Sequence, residues 1–132
     1  MTTKPDTTMH QHAINIEVKT TYIDQQSNPK KNRYAFAYTV QITNQGEVPV
    51  TLLKRRWIIT DSNYQVQEIR GEGVVGKQPY LLPGQQFRYT SGAVLETPVN
   101  TMQGAYEMVT DQGETFSAPI ERFTLSIPRT LH

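Results

Sequence analysis

The fold is decided by residues 34–42, which read YAFAYTVQI. In an extended chain, alternate residues of this run point to the same side, which gathers Tyr34, Phe36, Tyr38, Val40 and Ile42 on one face. An alternation this regular is typical of a β-strand with one face in the core and one in solvent. Aromatic residues that share a strand face are usually core residues. We therefore interpret this face as core rather than as a stacking platform for single-stranded nucleic acid.

The same period of two extends outward over most of the chain. We predict further strands at residues 13–22, 50–60, 64–69, 87–95, 102–110 and 115–125. Turn sequences separate them, and Pro119 predicts an edge position or a bulge in the last strand. No stretch shows the 3.6-residue period of an amphipathic helix. This pattern predicts an all-β, immunoglobulin-like or fibronectin type III-like β-sandwich of about seven antiparallel strands, with a small closed barrel as the alternative.

Length and charge narrow the class of protein. The 132 residues suit one domain, which we expect to span residues 12–127 between a disordered tail at 1–11 and a short C-terminal tail at 128–132. The chain has no cysteine, which excludes a disulfide scaffold and a zinc site built on thiolates. A net charge of +1 argues against a nucleic-acid partner. The start of the sequence has no apolar signal-peptide region, and no apolar run is long enough to span a membrane, so we expect a cytoplasmic protein.

Several blocks of the sequence resemble the bacterial ApaG family. They are YAFAYTV at 34–40, LLKRRWIITD at 52–61, GEGVVGKQP at 71–79, and the later blocks YTSG, LETP and PRTLH. The resemblance implies a fibronectin type III-like sandwich. It also implies a module that occurs attached to other domains in eukaryotic F-box proteins, which suggests protein–protein interaction. The family is associated with cobalt and magnesium tolerance, and its gene commonly lies beside that of a dinucleoside-tetraphosphate hydrolase. Neither association implies a biochemical activity for the domain.

Residues 71–76, Gly-Glu-Gly-Val-Val-Gly, match the G-x-G-x-x-G pattern of dinucleotide-binding loops. In those folds the glycines follow a strand and open a helix, and the helix N-terminus binds the pyrophosphate. Here Pro79, Pro83 and Gly84 follow, so no helix is expected. The dinucleotide-binding fold is therefore rejected.

A weaker form of the same idea remains open. Consecutive glycine amides can form an anion-binding nest without a helix, and Arg70 and Lys77 flank this loop and add positive charge. The simpler interpretation is structural, because Gly71, Gly73 and Gly76 allow a tight loop or a positive φ.

The motif Lys-Arg-Arg-Trp, which ends at Trp57, combines three cations with the single tryptophan of the chain. On a regular strand, Arg55 and Trp57 share the buried face with Leu53, whereas Lys54 faces solvent together with Leu52. A buried Arg55 then requires a carboxylate partner or an aromatic ring to stack on. We interpret Arg55 and Trp57 either as structural residues or as part of a surface that binds an anion or a partner.

Catalytic and metal chemistry find little support in the sequence. Ser91, within YTSG, does not lie in a nucleophile motif, and the histidines are confined to positions 10, 12 and 132. The acidic residues show no metal-ligand spacing, so no catalytic residue, metal site or cofactor is assigned.

We therefore expect a non-catalytic binding module for a protein partner, with edge strands through which it can also form a homodimer. The alternatives are a binder of a phosphorylated small molecule (pyrophosphate or a dinucleoside polyphosphate) at residues 71–76, and a role that involves divalent cobalt or magnesium.

Overall fold

A computed structural model describes residues 13–128. Its eight strands are β1 (Ile14–Tyr22), β2 (Tyr34–Asn44), β3 (Val50–Thr60), β4 (Val66–Glu72), β5 (Tyr80–Leu81), β6 (Gln86–Leu95), β7 (Val99–Thr110) and β8 (Thr115–Ser126). All strand pairs are antiparallel. One sheet has the order β1-β2-β6, and the other has the order β4-β3-β7-β8, with β5 added to β3. Two short 3-10 turns lie between β1 and β2.

The predicted all-β sandwich is confirmed, and the pairing of its strands shows which type of sandwich it is. The fourth strand pairs with the third, whereas an antibody constant domain places its fourth strand in the opposite sheet. The arrangement is therefore of the fibronectin type III kind. The predicted tails at residues 1–11 and 128–132 lie almost entirely outside the described residues. Within residues 13–128, no helix combines the length and apolar character that crossing a membrane requires.

The largest differences from the predicted strands lie at the end of β4 and in the connection that follows it. β4 continues through Glu72, so Gly71 belongs to a strand rather than to the following loop. The loop itself contains the two-residue strand β5, which the sequence pattern did not indicate. β5 forms because buried Leu81 pairs with Val50 and anchors this segment against β3.

The core lies between the two sheets. β2 contributes one continuous buried face, made of the side chains of Phe36, Tyr38, Val40 and Ile42, as its alternation predicted. Each fully buried side chain of this size stabilises the fold by roughly 1.5–3 kcal/mol relative to an exposed one. The opposite face is half-exposed, apart from Ala35, whose amide donates to the hydroxyl of Ser27 in the segment between β1 and β2.

A β-bulge in β3 changes which leucine enters the core. The pairing of β3 with β7 shifts by one residue between Leu52 and Lys54. The predicted face assignment was therefore wrong before the bulge and right after it. Leu52 is buried, Leu53 is only half-buried, and Arg55 and Trp57 share the inner face as expected. At the bulge, the carbonyl oxygen of Leu53 faces the connection between β4 and β5, where it accepts a hydrogen bond from the amide of Gly73 (2.7 Å).

The two sides of the sandwich are not equivalent. β1 packs against β8 on one side, and Pro119 lies in the edge strand β8 beside a register shift, as predicted. On the other side the edge strands are β4 and β6, and no comparable contact joins these two strands within the described part of the chain. The interior of the sandwich is therefore most accessible between β4 and β6.

Candidate functional site

A cleft of about 280 Å³ opens between the two sheets at Arg55. We call it the Arg55 cleft. The first sheet contributes Tyr38, Tyr89 and Ser91 to its walls, and β3 contributes Arg55 and Trp57. The end of β4 and the residues that follow it form the rim of the cleft, with Glu72, Val74, Val75 and Gly76. The cleft therefore has an aromatic wall, one cation, one carboxylate and a hairpin at its mouth.

Arg55 reaches from the inner face of β3 across the edge strand. Its Nη1 donates to the carbonyl oxygens of Glu72 (3.0 Å) and Gly73 (2.9 Å). Of the two partners expected for a buried Arg55, the carboxylate is absent, because no Asp or Glu among residues 13–128 lies within ion-pair distance of this guanidinium. Main-chain carbonyls hold the cation in place, and they leave its formal charge unneutralised.

Gly71 makes room for this arginine. Arg55 and Gly71 are direct cross-strand neighbours on the inner face. A Cβ on Gly71 would lie 2.6 Å from Nη2 of Arg55 and 2.7 Å from Cζ. The glycine at this position is therefore explained by the space that the guanidinium takes.

The remaining glycines shape a hairpin at the rim. Val74 and Lys77 exchange two main-chain hydrogen bonds of 2.8 and 2.9 Å, with Val75 (φ 44°) and Gly76 (φ 78°) between them. Two central residues with positive φ are the geometry of a type I′ turn. Gly73 also has a positive φ of 60°, and its amide is bound to the carbonyl of Leu53. The G-x-G-x-x-G run is followed by strand β5 and not by a helix, as expected.

This geometry bears on the anion-nest interpretation of the loop. The amides of Gly73, Val74 and Lys77 already donate to protein carbonyls. The loop also turns the carbonyls of Glu72 and Gly73, rather than amides, towards Arg55. Few loop amides therefore remain for a phosphate, although phosphate binding at residues 71–76 stays a prediction.

Trp57 forms the aromatic floor of the cleft. It is buried and makes edge-to-face contacts with Tyr38 (5.4 Å between ring centroids), Tyr106 (6.2 Å) and Phe123 (5.8 Å). Among residues 13–128, its indole Nε1 is the one buried side-chain nitrogen or oxygen without a hydrogen-bond partner. A buried donor without an acceptor typically costs about 1–3 kcal/mol, so this atom calls for an explanation.

A pair of buried tyrosines lies beside the tryptophan. The hydroxyls of Tyr89 and Tyr106 are hydrogen-bonded at 2.5 Å. Burial raises the pKa of Tyr89 to about 12, and burial together with the neighbouring Tyr89 raises the pKa of Tyr106 as well. Both hydroxyls are therefore neutral at physiological pH, and the charged side chains that line the cleft are Arg55 and Glu72.

The other predicted cations lie elsewhere. Arg70 is on the outer face of the second sheet, where Glu68 accepts from both Arg56 (2.5 Å) and Arg70 (3.0 Å). These two arginines lower the pKa of the Glu68 carboxyl. The groups are exposed, so the ion pairs contribute little to stability. A shallow depression of about 660 Å³ covers this outer face and carries charges of both signs, and Lys77 is exposed on the hairpin.

The structure thus brings together some predicted residues and adds others. Arg55, Trp57 and Gly76 line the cleft, whereas Gly71 and Gly73 support it from behind. The sequence reasoning missed Tyr38 and Ser91 as site residues, although they face each other in the pairing of β2 with β6. Alternation indicated that Tyr38 points inward, but no sequence signal placed it beside Arg55.

The described residues form neither a metal-binding cluster nor a serine–histidine pair. Within residues 13–128, no three or more His, Cys, Asp or Glu side chains cluster so that they could hold a metal ion. Ser91 lines the cleft, and that part of the chain contains no histidine that could act as its base.

Comparison with known proteins finds relatives of this chain that all carry related names. The sequence model of the ApaG domain matches residues 24–110. A Protein ApaG from Thiobacillus denitrificans is 54% identical over 121 residues, which cover 92% of this chain and 95% of the relative. A Protein ApaG from Pseudomonas aeruginosa is 54% identical over 122 residues, with coverage of 92% and 97%. The crystal structure of an ApaA protein from Bordetella pertussis has a TM-score of 0.86 at 50% identity and covers 89% of this chain and 95% of its own.

None of these names indicates a catalytic activity. The match extends over both sheets, the bulged strand β3 and the glycine hairpin. This chain belongs to the ApaG domain family, as its sequence blocks predicted.

Proposed function

We propose that this domain is a non-catalytic module that binds a protein partner, and that the Arg55 cleft is its binding site. The proposal rests on one observation, which is that Arg55 is held in a fixed position without a neutralising carboxylate among residues 13–128. Its position is fixed by two carbonyls, yet no carboxylate among residues 13–128 neutralises it. A cation held in this way in a partly buried cleft is prepared to meet an anion from another molecule.

The location of the cleft supports a macromolecular partner. It opens between β4 and β6, whose outer edges pair with no other strand among residues 13–128, so a bound chain can also approach a strand edge there. Val75 stands at its rim with 54% of its surface exposed. Aromatic and arginine side chains, which also line this cleft, are enriched in interface hot spots.

The size of the cleft points the same way. Its volume of about 280 Å³ lies at or below the range of roughly 300–1,000 Å³ in which small-molecule sites usually fall. It is large enough for one side chain. We infer that a partner inserts a side chain here rather than that a dinucleotide is enclosed.

The chemistry of the lining argues against catalysis. A general base works best with a pKa near neutrality, and the raised pKa values of Tyr89 and Tyr106 move both hydroxyls away from it. Ser91 has no histidine within residues 13–128 to activate it.

The test is a quantitative capture experiment with matched baits. Wild type, Val75→Asn and Val99→Asn are immobilised, and captured proteins are quantified from cell extract. Val99 has 49% of its surface exposed and lies at the start of β7, far along the strand from the Arg55 row, so it controls for loss of an exposed valine. Asparagine tolerates positive φ, so the change at Val75 should leave the hairpin intact.

We expect a protein that wild type and Val99→Asn retain and that Val75→Asn loses by at least about tenfold. The purified protein must then bind the domain in solution with the same pattern. Identical captured sets for all three baits would remove the cleft as the site of interaction.

A further inference from the structure

We propose that the Arg55 cleft binds a carboxylate group through Nε and Nη2 of Arg55. The inference deepens the proposed function, because it names the chemistry by which the cleft recognises its partner. The binding of the carboxylate itself can be measured without the partner.

The guanidinium of Arg55 has more N–H donors than the described protein groups accept. An arginine carries five N–H donors in a planar fork. Nη1 directs its two hydrogen bonds to Glu72 and Gly73. The three remaining N–H groups are on Nε and Nη2, which together form the side of the fork that matches the two oxygens of a carboxylate. These atoms have no acceptor among residues 13–128 and are not sealed from solvent, since Trp57 Nε1 is the one buried side-chain atom there without a partner.

Donors and acceptors are also out of balance in the cleft. The indole Nε1 of Trp57 also lacks an acceptor, but it is buried from solvent and is not counted as a donor to a ligand. The side chains of Tyr38 and Ser91 bring two hydroxyls to the same walls. These hydroxyls can act as donors beside the free N–H groups of Arg55. A ligand that supplies acceptor oxygens is what such a lining fits.

The charges that line the cleft favour a carboxylate over a phosphate or pyrophosphate. The cleft holds one arginine and one carboxylate, that of Glu72, so its lining sums to no net charge. A singly charged carboxylate can pair with Arg55, and it brings the least negative charge against Glu72. Phosphate and pyrophosphate bring more negative charge against Glu72, and the amides of Gly73, Val74 and Lys77 that would compensate are already bonded within the protein.

Two sources provide this chemistry, namely an acidic side chain and a free chain terminus of the partner. The volume of about 280 Å³ accommodates either group. Two short peptides separate them. One is amidated and acetylated with a central glutamate, and the other is neutral along its length with a free C-terminal carboxylate.

The experiment is a titration of the full ¹⁵N-labelled chain followed by NMR. The chain has one tryptophan, so the indole N–H of Trp57 gives a single signal beside the Arg55 cleft. Sodium acetate, inorganic phosphate and sodium chloride are compared at constant ionic strength, followed by the two peptides. We expect saturable shifts of the indole signal and of the Gly71 and Gly73 amides with acetate, weaker shifts with phosphate, and none with chloride.

Variants assign the effect to Arg55. Arg55→Gln should weaken acetate binding at least about tenfold, whereas Arg56→Gln removes the same charge from the outer face and should leave it unchanged. If Arg55→Gln does not fold, Gly71→Ala serves instead, because its methyl group displaces the guanidinium without removing the charge.

The outcomes separate this inference from the proposed function. Acetate binding that depends on Arg55, with partner capture unaffected by Val75→Asn, supports the carboxylate site and overturns the protein-binding function at this cleft. No saturable shift with acetate or either peptide, an equal response in Arg55→Gln, or tighter binding of phosphate than of acetate overturns the carboxylate site. Partner capture that is sensitive to Val75→Asn would then still stand.

Discussion

The guanidinium of Arg55 occupies the space that a side chain at Gly71 would fill. Nη2, Cζ and Nη1 lie 2.6, 2.7 and 2.8 Å from the position of a Cβ on this glycine. The two residues are opposite each other on the inner face of β3 and β4. The side chain of Arg55 therefore fills the inner face at its own position and at position 71. The edge strand β4 contributes no side chain to the cleft at Gly71.

This relationship predicts that the two positions are coupled in a double-mutant cycle. Gly71→Ala should destabilise the wild type by about 1 kcal/mol, because the arginine must leave the carbonyls of Glu72 and Gly73. In an Arg55→Ala background the same change meets open space. There it should be neutral or stabilise by up to about 1 kcal/mol, as Gly→Ala does at an unstrained position.

Urea unfolding of the four proteins gives the coupling energy. Ala105→Gly, on the outer face of β7, is a control position outside the Arg55–Gly71 contact and should add independently to Arg55→Ala. Additive effects of Arg55→Ala and Gly71→Ala would contradict the shared space.

Sequence patterns predicted the sandwich well because alternation is a local signal. The buried face of β2 and the burial of Trp57 both follow from apolar residues at period two. The bulge at Leu53 left no such signal, because Leu52 and Leu53 are both apolar and either can enter the core. The inward leucine was therefore assigned wrongly until the structure gave the register.

The cleft was harder to predict than the fold, since its partners carry no sequence signature. Arg55 was singled out as a site residue, but its hydrogen-bond acceptors are main-chain carbonyls that any residue provides. Tyr38 and Ser91 meet only through the pairing of β2 with β6. Charge and burial suggested that Arg55 needed a carboxylate partner or an aromatic ring to stack on, and no carboxylate among residues 13–128 pairs with it.

The glycines of the hairpin should differ in their sensitivity to substitution. A Cβ on Gly73 would lie 2.2 Å from the carbonyl oxygen of Lys77, and its φ is +60°. Gly73→Ala should therefore cost more than about 2 kcal/mol, from a backbone clash added to left-handed strain. Gly76 has a φ of +78° but nothing within 4 Å of such a Cβ, so Gly76→Ala should cost only about 1 kcal/mol.

Urea unfolding checks this order of sensitivity. Equal costs at the two positions would mean that space around Gly73 is not limiting. A larger cost at Gly76 would contradict the hairpin geometry described here.

Val75 is the residue whose conformation fits its chemistry least. A β-branched side chain with φ of 44° is an outlier that costs of order 1–2 kcal/mol. Val75→Asn should raise the free energy of unfolding by up to about 1 kcal/mol, because asparagine adopts positive φ more readily. If partner capture falls at the same time, the strained valine is retained at the expense of stability for binding. A loss of stability in Val75→Asn would show that the valine side chain packs on the rim.

Divalent metals should leave the stability of the fold unchanged. No cluster of three or more His, Cys, Asp or Glu side chains occurs among residues 13–128, so we expect no stabilisation by a bound metal there. The melting temperature should be the same with magnesium, with cobalt and with chelator. A rise that saturates with either ion would instead support a metal-dependent role for the domain.

The hydroxyl pair of Tyr89 and Tyr106 predicts the behaviour of the fold in alkali. Both pKa values are raised above the ordinary value of 10.0, that of Tyr89 to about 12, chiefly because burial disfavours the phenolate. The unfolded chain therefore loses these protons first as the pH rises. Stability is complete below pH 10 and falls between about pH 10 and 12, by about 1.4 kcal/mol per pH unit for each tyrosine that remains protonated only in the folded state.

Urea unfolding from pH 8 to 11.5 measures this slope. The double variant Tyr89→Phe/Tyr106→Phe should lose most of it, while Tyr64→Phe, at a tyrosine with 87% of its surface exposed, should keep it. The single change Tyr106→Phe leaves the Tyr89 hydroxyl without its partner and should cost about 1 kcal/mol at neutral pH. A slope that survives the double substitution would assign the alkaline instability to other groups and would leave the buried pair without a role in it.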